Sequence, residues 1–178
     1  MPAKGKLNPV SYKRVRRKQT TPTTRREFPV ERIASGGQTG VDRAALDYAI
    51  AHGIPHCGWC PRGRLAEDGA LDAAYALRET PEAEYPQRTE WNVRDSDGTV
   101  IFTISPALSG GSALTRDLAL AHGKPCLHLA MEREGDEATA RLREFIRRNR
   151  IKTLNVAGPR LSTEPGAAAF AAQLLEAL

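Results

Sequence analysis

The chain has 178 residues and a formal charge of +5, a length that suits one well-buried core and is short for two domains. No window approaches the roughly 20 apolar residues that span a bilayer, so a membrane partner is not expected. The charge is segregated: residues 1–26 hold nine Lys/Arg and no acidic residue, which leaves seventeen basic against twenty-one acidic residues, a net of −4, for the remainder.

Taken in chain order, residues 1–28 read as a basic extension. The stretch "MPAKGKLNPVSYKRVRRKQTTPTTRR" has little apolar content and no periodicity, which predicts disorder. It lacks the continuous apolar run of a secretory signal. Such an arm is either a solvated extension or a contact for nucleic-acid phosphates. Three cysteines cannot all pair with one another, and without an export signal the expected compartment is the cytoplasm, with reduced thiols.

From residue 29 onward apolar runs alternate with helical patterns, and residues 29–178 read as one ligand-binding domain. "PVERIAS" is a strand. "TGVDRAALDYAIAHG" carries Val41, Ala44, Ala45, Tyr48 and Ala49 at helical spacing, with Gly53 as the stop. "IPHCGWC" reads as a second strand, "PRGRLAEDG" as a loop, "ALDAAYALRE" as a short helix or irregular chain, and the proline-broken "TPEAEYPQ" as loop. "RTEWNVRDS" fits a helix, and "DGTVIFTIS" is the clearest strand. Then come the loop "PALSGGS", the helix "ALTRDLALAHG", the strand "KPCLHLA", the helix "DEATARLREFIRRN", the strand "IKTLNVAG" and a last helix in "PGAAAFAAQLLEAL". The alternation predicts an α/β fold, a Rossmann-like three-layer parallel sheet with helices on both faces.

One unit occurs twice, at 33–55 and 101–125: strand, Ser-Gly-Gly, helix, Ala-His-Gly and a short strand. In a parallel sheet both loops leave on the same rim. Helix-opening amides have no internal partner and suit an anion, and glycine lets backbone come close to a phosphate. Candidate ligand groups are therefore Ser35, Gly36, Gly37, Gln38, Thr39 and Gly40 in the first loop, and Ser109, Gly110, Gly111, Ser112 and Thr115 in the second. The bland alternative for either loop is a tight turn with a cap. The first loop has no Gly-Lys-Ser/Thr, and the position about 20 residues on, where a dinucleotide fingerprint places an acid, falls near Cys57 to Pro61, so NAD is not expected.

Further candidates lie between the loops. Arg62 and Arg64 follow the second strand and suit a bidentate phosphate clamp, or else are solvated surface. Glu67 and Asp68 either pair with those arginines or order ligand hydroxyls. On a helix, Arg88 and Asn92 share a face with Thr89 beside them, and Trp91 reads as packing. Asp42 sits in the first helical turn, where it also compensates the dipole. His56, Cys57 and Cys60 make half a zinc site at most, so no metal centre is expected, and His52 and His122 read as helix C-terminal caps.

"SGGQTGVDRAALDYAI", "WCPRGRLAEDG", "QRTEWNVRDSDGTVIF" and "SGGSALT", in that order over roughly residues 30 to 178, resemble the molybdenum carrier family. That family is similar to a circularly permuted YpsA-type branch of the SLOG superfamily, the Rossmann-like group that includes the LOG proteins. The resemblance implies a fold that binds a nucleotide or another phosphate-bearing ligand, with molybdenum cofactor as the named candidate. It also implies a homo-oligomer and favours Arg88, Thr89 and Asn92 as site residues. LOG-type hydrolysis would need an acid or base such as Glu90 or Glu67. The LOG motif Pro-Gly-Gly-x-Gly-Thr-x-x-Glu is altered here, with Ser109 for its proline, Ala113 for its third glycine and no glutamate in register.

Overall fold

The computed structural model describes residues 30–178. The basic extension and the nucleic-acid contact assigned to it lie outside the described residues. The elements in order are β1 Arg32–Ala34, α1 Val41–Ala51, β2 His56–Cys57, β3 Trp59–Cys60, β4 Leu65–Ala66, β5 Gly69–Ala70, β6 Arg78–Glu79, α2 Tyr85–Arg94, β7 Gly98–Thr103, α3 Gly110–Ala121, β8 Cys126–Ala130, α4 Met131–Glu134, α5 Ala138–Asn149, β9 Thr153–Ala157 and α6 Pro165–Glu176. A one-turn 3-10 helix, Gly135–Glu137, precedes α5.

The central sheet has five strands in the order β2-β1-β9-β7-β8, and every pairing in it is parallel. The last strand in sequence is therefore the middle strand in space, with Asn155 in register with Ala34 on one side and Thr99 on the other. From β1 the chain runs outward through α1 to β2, and from β7 it runs the other way through α3 to β8. Right-handed crossovers in opposite directions place their helices on opposite faces. Accordingly α1, α5 and α6 pack together on one face, while α2 and α3 pack on the other.

The two faces differ in chemistry. Side chains alternate along a strand, so Val100, Phe102, Leu154 and Val156 point into a hydrocarbon core with Ile33, Leu142, Ile146 and Phe170. The Phe102 and Phe170 rings meet edge-on at 6.0 Å, and truncating Phe102 to Ala would cost about 3–5 kcal/mol. The alternate positions Thr99, Thr103 and Asn155 are buried as well, but on the α2/α3 side, where they give the sheet a polar surface.

Between β2 and α2 the chain departs from the simple alternation. "IPHCGWC" is two short strands rather than one: β2 pairs with β1, and β3 pairs with β6 in a separate two-stranded sheet. Gly58 divides them at φ 140, held so close to the Ser35 carbonyl that no Cβ could fit. The expected loop "PRGRLAEDG" contains the antiparallel hairpin β4–β5. Leu46, Cys60, Leu71 and Leu77 form a small second core beneath this region. No helix among the described residues is long and apolar enough to cross a membrane.

Candidate functional site

At the carboxyl ends of β1, β9 and β7, a cavity of about 590 Å³ opens between the polar face of the sheet and helices α2 and α3. Its position, where neighbouring strands send the chain in opposite directions, is where open α/β sheets bind ligands. Thr103 and Asn155 line it from the sheet, and Thr89 and Asn92 from α2; Ser112 and Thr115 line it from α3. Three loops close it: the one after β1, the one before α3, and a third, residues 158–164, after β9.

The loop before α3 is open. Ser109 is the extended N-cap residue, and Gly110 and Gly111 are the first two helical residues. The amides of Gly110, Gly111 and Ser112 find no acceptor among the described residues, and the first capping bond runs from the Ala113 amide to the Ser109 carbonyl at 3.2 Å. A Cβ on Gly110 or Gly111 would meet nothing within 4 Å. Unpartnered amides at the positive end of a helix dipole suit an anion, and these lie on the cavity wall. The Thr115 hydroxyl is engaged, donating to the Gly111 carbonyl at 2.8 Å.

The loop after β1 is closed on itself. Ser35 is buried and its hydroxyl donates to the Val156 carbonyl at 2.8 Å. The Gln38 amide donates to Asp42 Oδ2 at 3.3 Å, the Thr39 amide to Gln38 Oε1 at 3.0 Å, and the Val41 amide to the Pro159 carbonyl at 3.4 Å. Gly36, Gln38 and Asp42 line the cavity; Ser35, Gly37, Thr39 and Gly40 do not. Gly37, at φ 78, faces Leu71 and Leu77 of the small core, and Gly40, at φ 83, is wedged against the backbone of Pro159 and Leu161. The Arg88 guanidinium lies over Gly36, where a Cβ would collide with it, and Nη1 donates to Asp42 Oδ2 at 2.8 Å. Both side chains of this pair are largely buried.

The β4–β5 hairpin shuts the first loop from outside. Glu67 accepts hydrogen bonds from the Thr39 hydroxyl and, at 2.6 Å, from the Ser162 hydroxyl. These bonds, Ser162 first and Thr39 second, hold its carboxyl below the ordinary carboxylate range. Asp68 pairs with Arg43, so neither acid pairs with Arg62 or Arg64. Those two arginines do not line the cavity. Arg64 donates to the carbonyls of Leu71, Asp72, Tyr75 and Leu77, contacts that offset the cost of its left-handed φ of 55. β3, the strand that leads to both, pairs with β6 outside the central sheet.

Of the two carboxylates considered as acid or base, neither lines the cavity. Glu67 is held in the hairpin, and Glu90 on α2 faces His122 Nε2 at 3.3 Å. Asn92 is at the wall, with its amide holding both backbone groups of Trp59, and the Thr89 hydroxyl donates to the Tyr85 carbonyl at 3.0 Å. Trp91 packs edge-on against Trp59, ring centroids 4.6 Å apart. Cys60 is buried beside Leu46 and Leu71, and burial pushes the thiols of Cys57, Cys60 and Cys126 up, the last to about 11. Among the described residues no group of three or more His, Cys, Asp or Glu is placed to hold a metal ion.

The third loop was not anticipated. Gly158, Arg160, Ser162, Thr163 and Glu164 line the cavity, and Glu164 Oε2 accepts from the Ile104 amide at 2.8 Å, tying the loop after β9 to the one after β7. The available signal was "NVAGPRLSTEP", a strand ending in Gly-Pro followed by Thr-Glu-Pro before a helix, which has the same strand-to-helix form as the other two loops.

Residues 33–178 match the circularly permutated YpsA SLOG family. Among solved structures, the chain is similar to one named "Putative molybdenum carrier protein" from Syntrophus aciditrophicus SB: 46% identity over 84% of this chain and 95% of that one, with a TM-score of 0.82. No curated protein matches the chain.

Proposed function

Given that the chain belongs to the circularly permutated YpsA SLOG family, we propose that it holds a small phosphate-bearing ligand in the rim cavity, and that the ligand is molybdenum cofactor, carried as cargo without turnover. The observation that carries this reading is the trio of unpartnered amides, Gly110, Gly111 and Ser112, at the N-terminus of α3 on the cavity wall. A helix N-terminus of this kind accepts a phosphate without any side-chain charge. The cavity volume also falls in the range of about 300–1,000 Å³ usual for small-molecule sites.

Molybdenum cofactor has a pterin body and a terminal phosphate. In this reading the phosphate takes the α3 amides and Ser109. The pterin would be held by Asn155, Gln38, Asp42 and Arg88, which line the same cavity. The name of the Syntrophus protein points to the same cargo. Carriage is preferred to hydrolysis because Glu90 and Glu67, the carboxylates a LOG-like reaction would call on, stand off the cavity wall. Mass spectrometry of the small molecules that co-purify with the protein tests it. A pterin phosphate is the expected result; a phosphate-free molecule would overturn it.

We extend the proposal to the setting of the protein. The three unpaired cysteines fit the reducing cytoplasm. The family resemblance gives a homo-oligomer, for which light scattering showing only monomer at high concentration would be contrary evidence. The basic residues 1–26 give any nucleic-acid affinity, which deletion of that segment should abolish along with its salt dependence.

A further inference from the structure

The inner wall of the cavity, opposite in character to the α3 amides, carries its own unfilled hydrogen-bonding groups. Gln38 is buried, and its orientation is fixed because Oε1 accepts from the amides of both Thr39 and Glu67, at 3.0 and 2.8 Å. Its Nε2 is therefore a donor, and it has no acceptor. Arg88 Nη1 is held by Asp42, while its Nε has no acceptor either. Asp42 is buried, with Oδ2 engaged by Arg88 and by the Gln38 amide, and Oδ1 accepts nothing among the described residues. Buried donors without partners are rare and costly. Two of them here belong to residues on one cavity wall, and both residues are tied to the same carboxylate.

The charge of this wall decides what it takes. Asp42 neutralises Arg88, so the wall carries no net positive charge, and a second phosphate would meet the carboxylate as well as the guanidinium. A neutral group fits better if it has an acceptor for Gln38 Nε2 and Arg88 Nε and, beside it, an N–H for Asp42 Oδ1. That pattern is a lactam, –NH–C(=O)–. The absence of a Cβ at Gly36 lets the Arg88 guanidinium sit there beside Asp42, on the wall that the ring would meet.

Resting on the reading that the α3 end binds phosphate, we propose that the Gln38–Asp42–Arg88 wall reads the lactam edge of the ligand's ring, selecting a pterin or a guanine over an adenine. Guanine and pterin both present a ring carbonyl next to a ring N–H. Adenine presents an amino donor in place of that carbonyl and an unprotonated ring nitrogen in place of the N–H, so both of its groups meet their like. A site built to hydrogen-bond one such edge rejects the other strongly, because its buried groups would stay unpaired.

The test is calorimetry on the full chain with guanosine 5′-monophosphate, adenosine 5′-monophosphate and 6-hydroxymethylpterin monophosphate, with inorganic phosphate as competitor. At least one lactam ligand should bind tenfold or more tighter than the adenine nucleotide, and which one does identifies the ring. Gln38→Glu keeps the oxygen that accepts the two backbone amides and replaces only the free donor. It should cut lactam binding at least tenfold, spare the adenine nucleotide and leave phosphate competition unchanged. Asp42→Asn should show the same signature and serves if the first variant does not fold. Equal affinities for all three ligands in the parent, no binding of either lactam ligand, or a uniform loss in the folded variant would each overturn the proposal. Failure of inorganic phosphate to displace any ligand would instead count against the phosphate reading.

Discussion

The two Ser-Gly-Gly stretches look alike in sequence and sit differently in the fold. Ser35-Gly36-Gly37 follows β1 directly, and α1 begins only at Val41; Ser109-Gly110-Gly111 is the cap and first turn of α3 itself. The first uses its glycines for packing. Gly36 admits Arg88, Gly37 admits the small core and Gly40 admits the backbone of the third loop, while the Gln38, Thr39 and Val41 amides find partners within the protein. The second leaves its amides open to the cavity and its glycines without neighbours. In this chain the glycine pair leaves amides free only where it coincides with the start of a helix. Where it coincides with the end of a strand, it makes room for protein.

If that contrast is right, valine should break the first loop as structure and the second as a site. The largest effect belongs to Gly40→Val. At φ 83 its Cβ would stand 2.6 Å from the Pro159 carbonyl oxygen and 2.8 Å from the Leu161 nitrogen, and backbone cannot move aside cheaply. Strain and overpacking together should cost on the order of 3–5 kcal/mol of stability, read from urea denaturation; a loss under about 1 kcal/mol would show that the loop is not wedged as described. Gly37→Val, at φ 78 and 2.7 Å from the terminal carbons of Leu71 and Leu77, should lose somewhat less, about 2–3 kcal/mol, because side chains give way more easily.

Gly111→Val should do the reverse. Nothing lies within 4 Å of the added Cβ, so stability should stay within about 1 kcal/mol of the parent. A branched side chain in front of the amides should lower affinity for the phosphate ligand at least tenfold, about 1.4 kcal/mol. Calorimetry and denaturation on the same sample separate the two effects. Ser112→Ala removes a single hydroxyl and leaves the amides in place, so its loss should be smaller, on the order of 0.5–1.5 kcal/mol; a larger loss than that of Gly111→Val would move the recognition from backbone to side chain.

The helices and the alternating plan of this chain were legible because their signals are local. α1 and α5 follow from the spacing of their apolar residues, and the two Ala-His-Gly segments do stop α1 and α3, with His52 and His122 as C-caps. The site was only half legible because sheet order is not local. Nothing in "IKTLNVAG" says that β9 inserts between β1 and β7, and that insertion brings Asn155 and the loop through Glu164 to the cavity. For the same reason Arg62 and Arg64, placed on the rim by the order of the chain, follow β3 of the separate two-stranded sheet and miss the cavity. One clue was available: Thr99, Thr103 and Asn155 interrupt otherwise apolar strands at alternate positions, which marks a sheet face built to meet something polar.

The smallest expected effect concerns the hairpin that closes the first loop. Glu67 accepts from Thr39, Ser162 and the Ser162 amide, the last at 3.3 Å, and its carboxyl titrates below the ordinary range because of those bonds. A group whose pKa is depressed on folding contributes above its unfolded value, about 4.3 for Glu, and loses that contribution as pH falls through the lower folded value. The clamp should therefore be intact at neutral pH and loosen only in acid, below the point where an ordinary glutamate protonates. An NMR titration of the Ser162 amide should show its inflection there, and Glu67→Gln should remove it. Since Ser162 lines the cavity but the α3 amides do not depend on it, ligand affinity should change by less than tenfold across the same range. An inflection at or above the ordinary carboxylate value would mean that the hairpin is not held by these bonds, and a large fall in affinity would mean that the phosphate end of the site depends on this clamp.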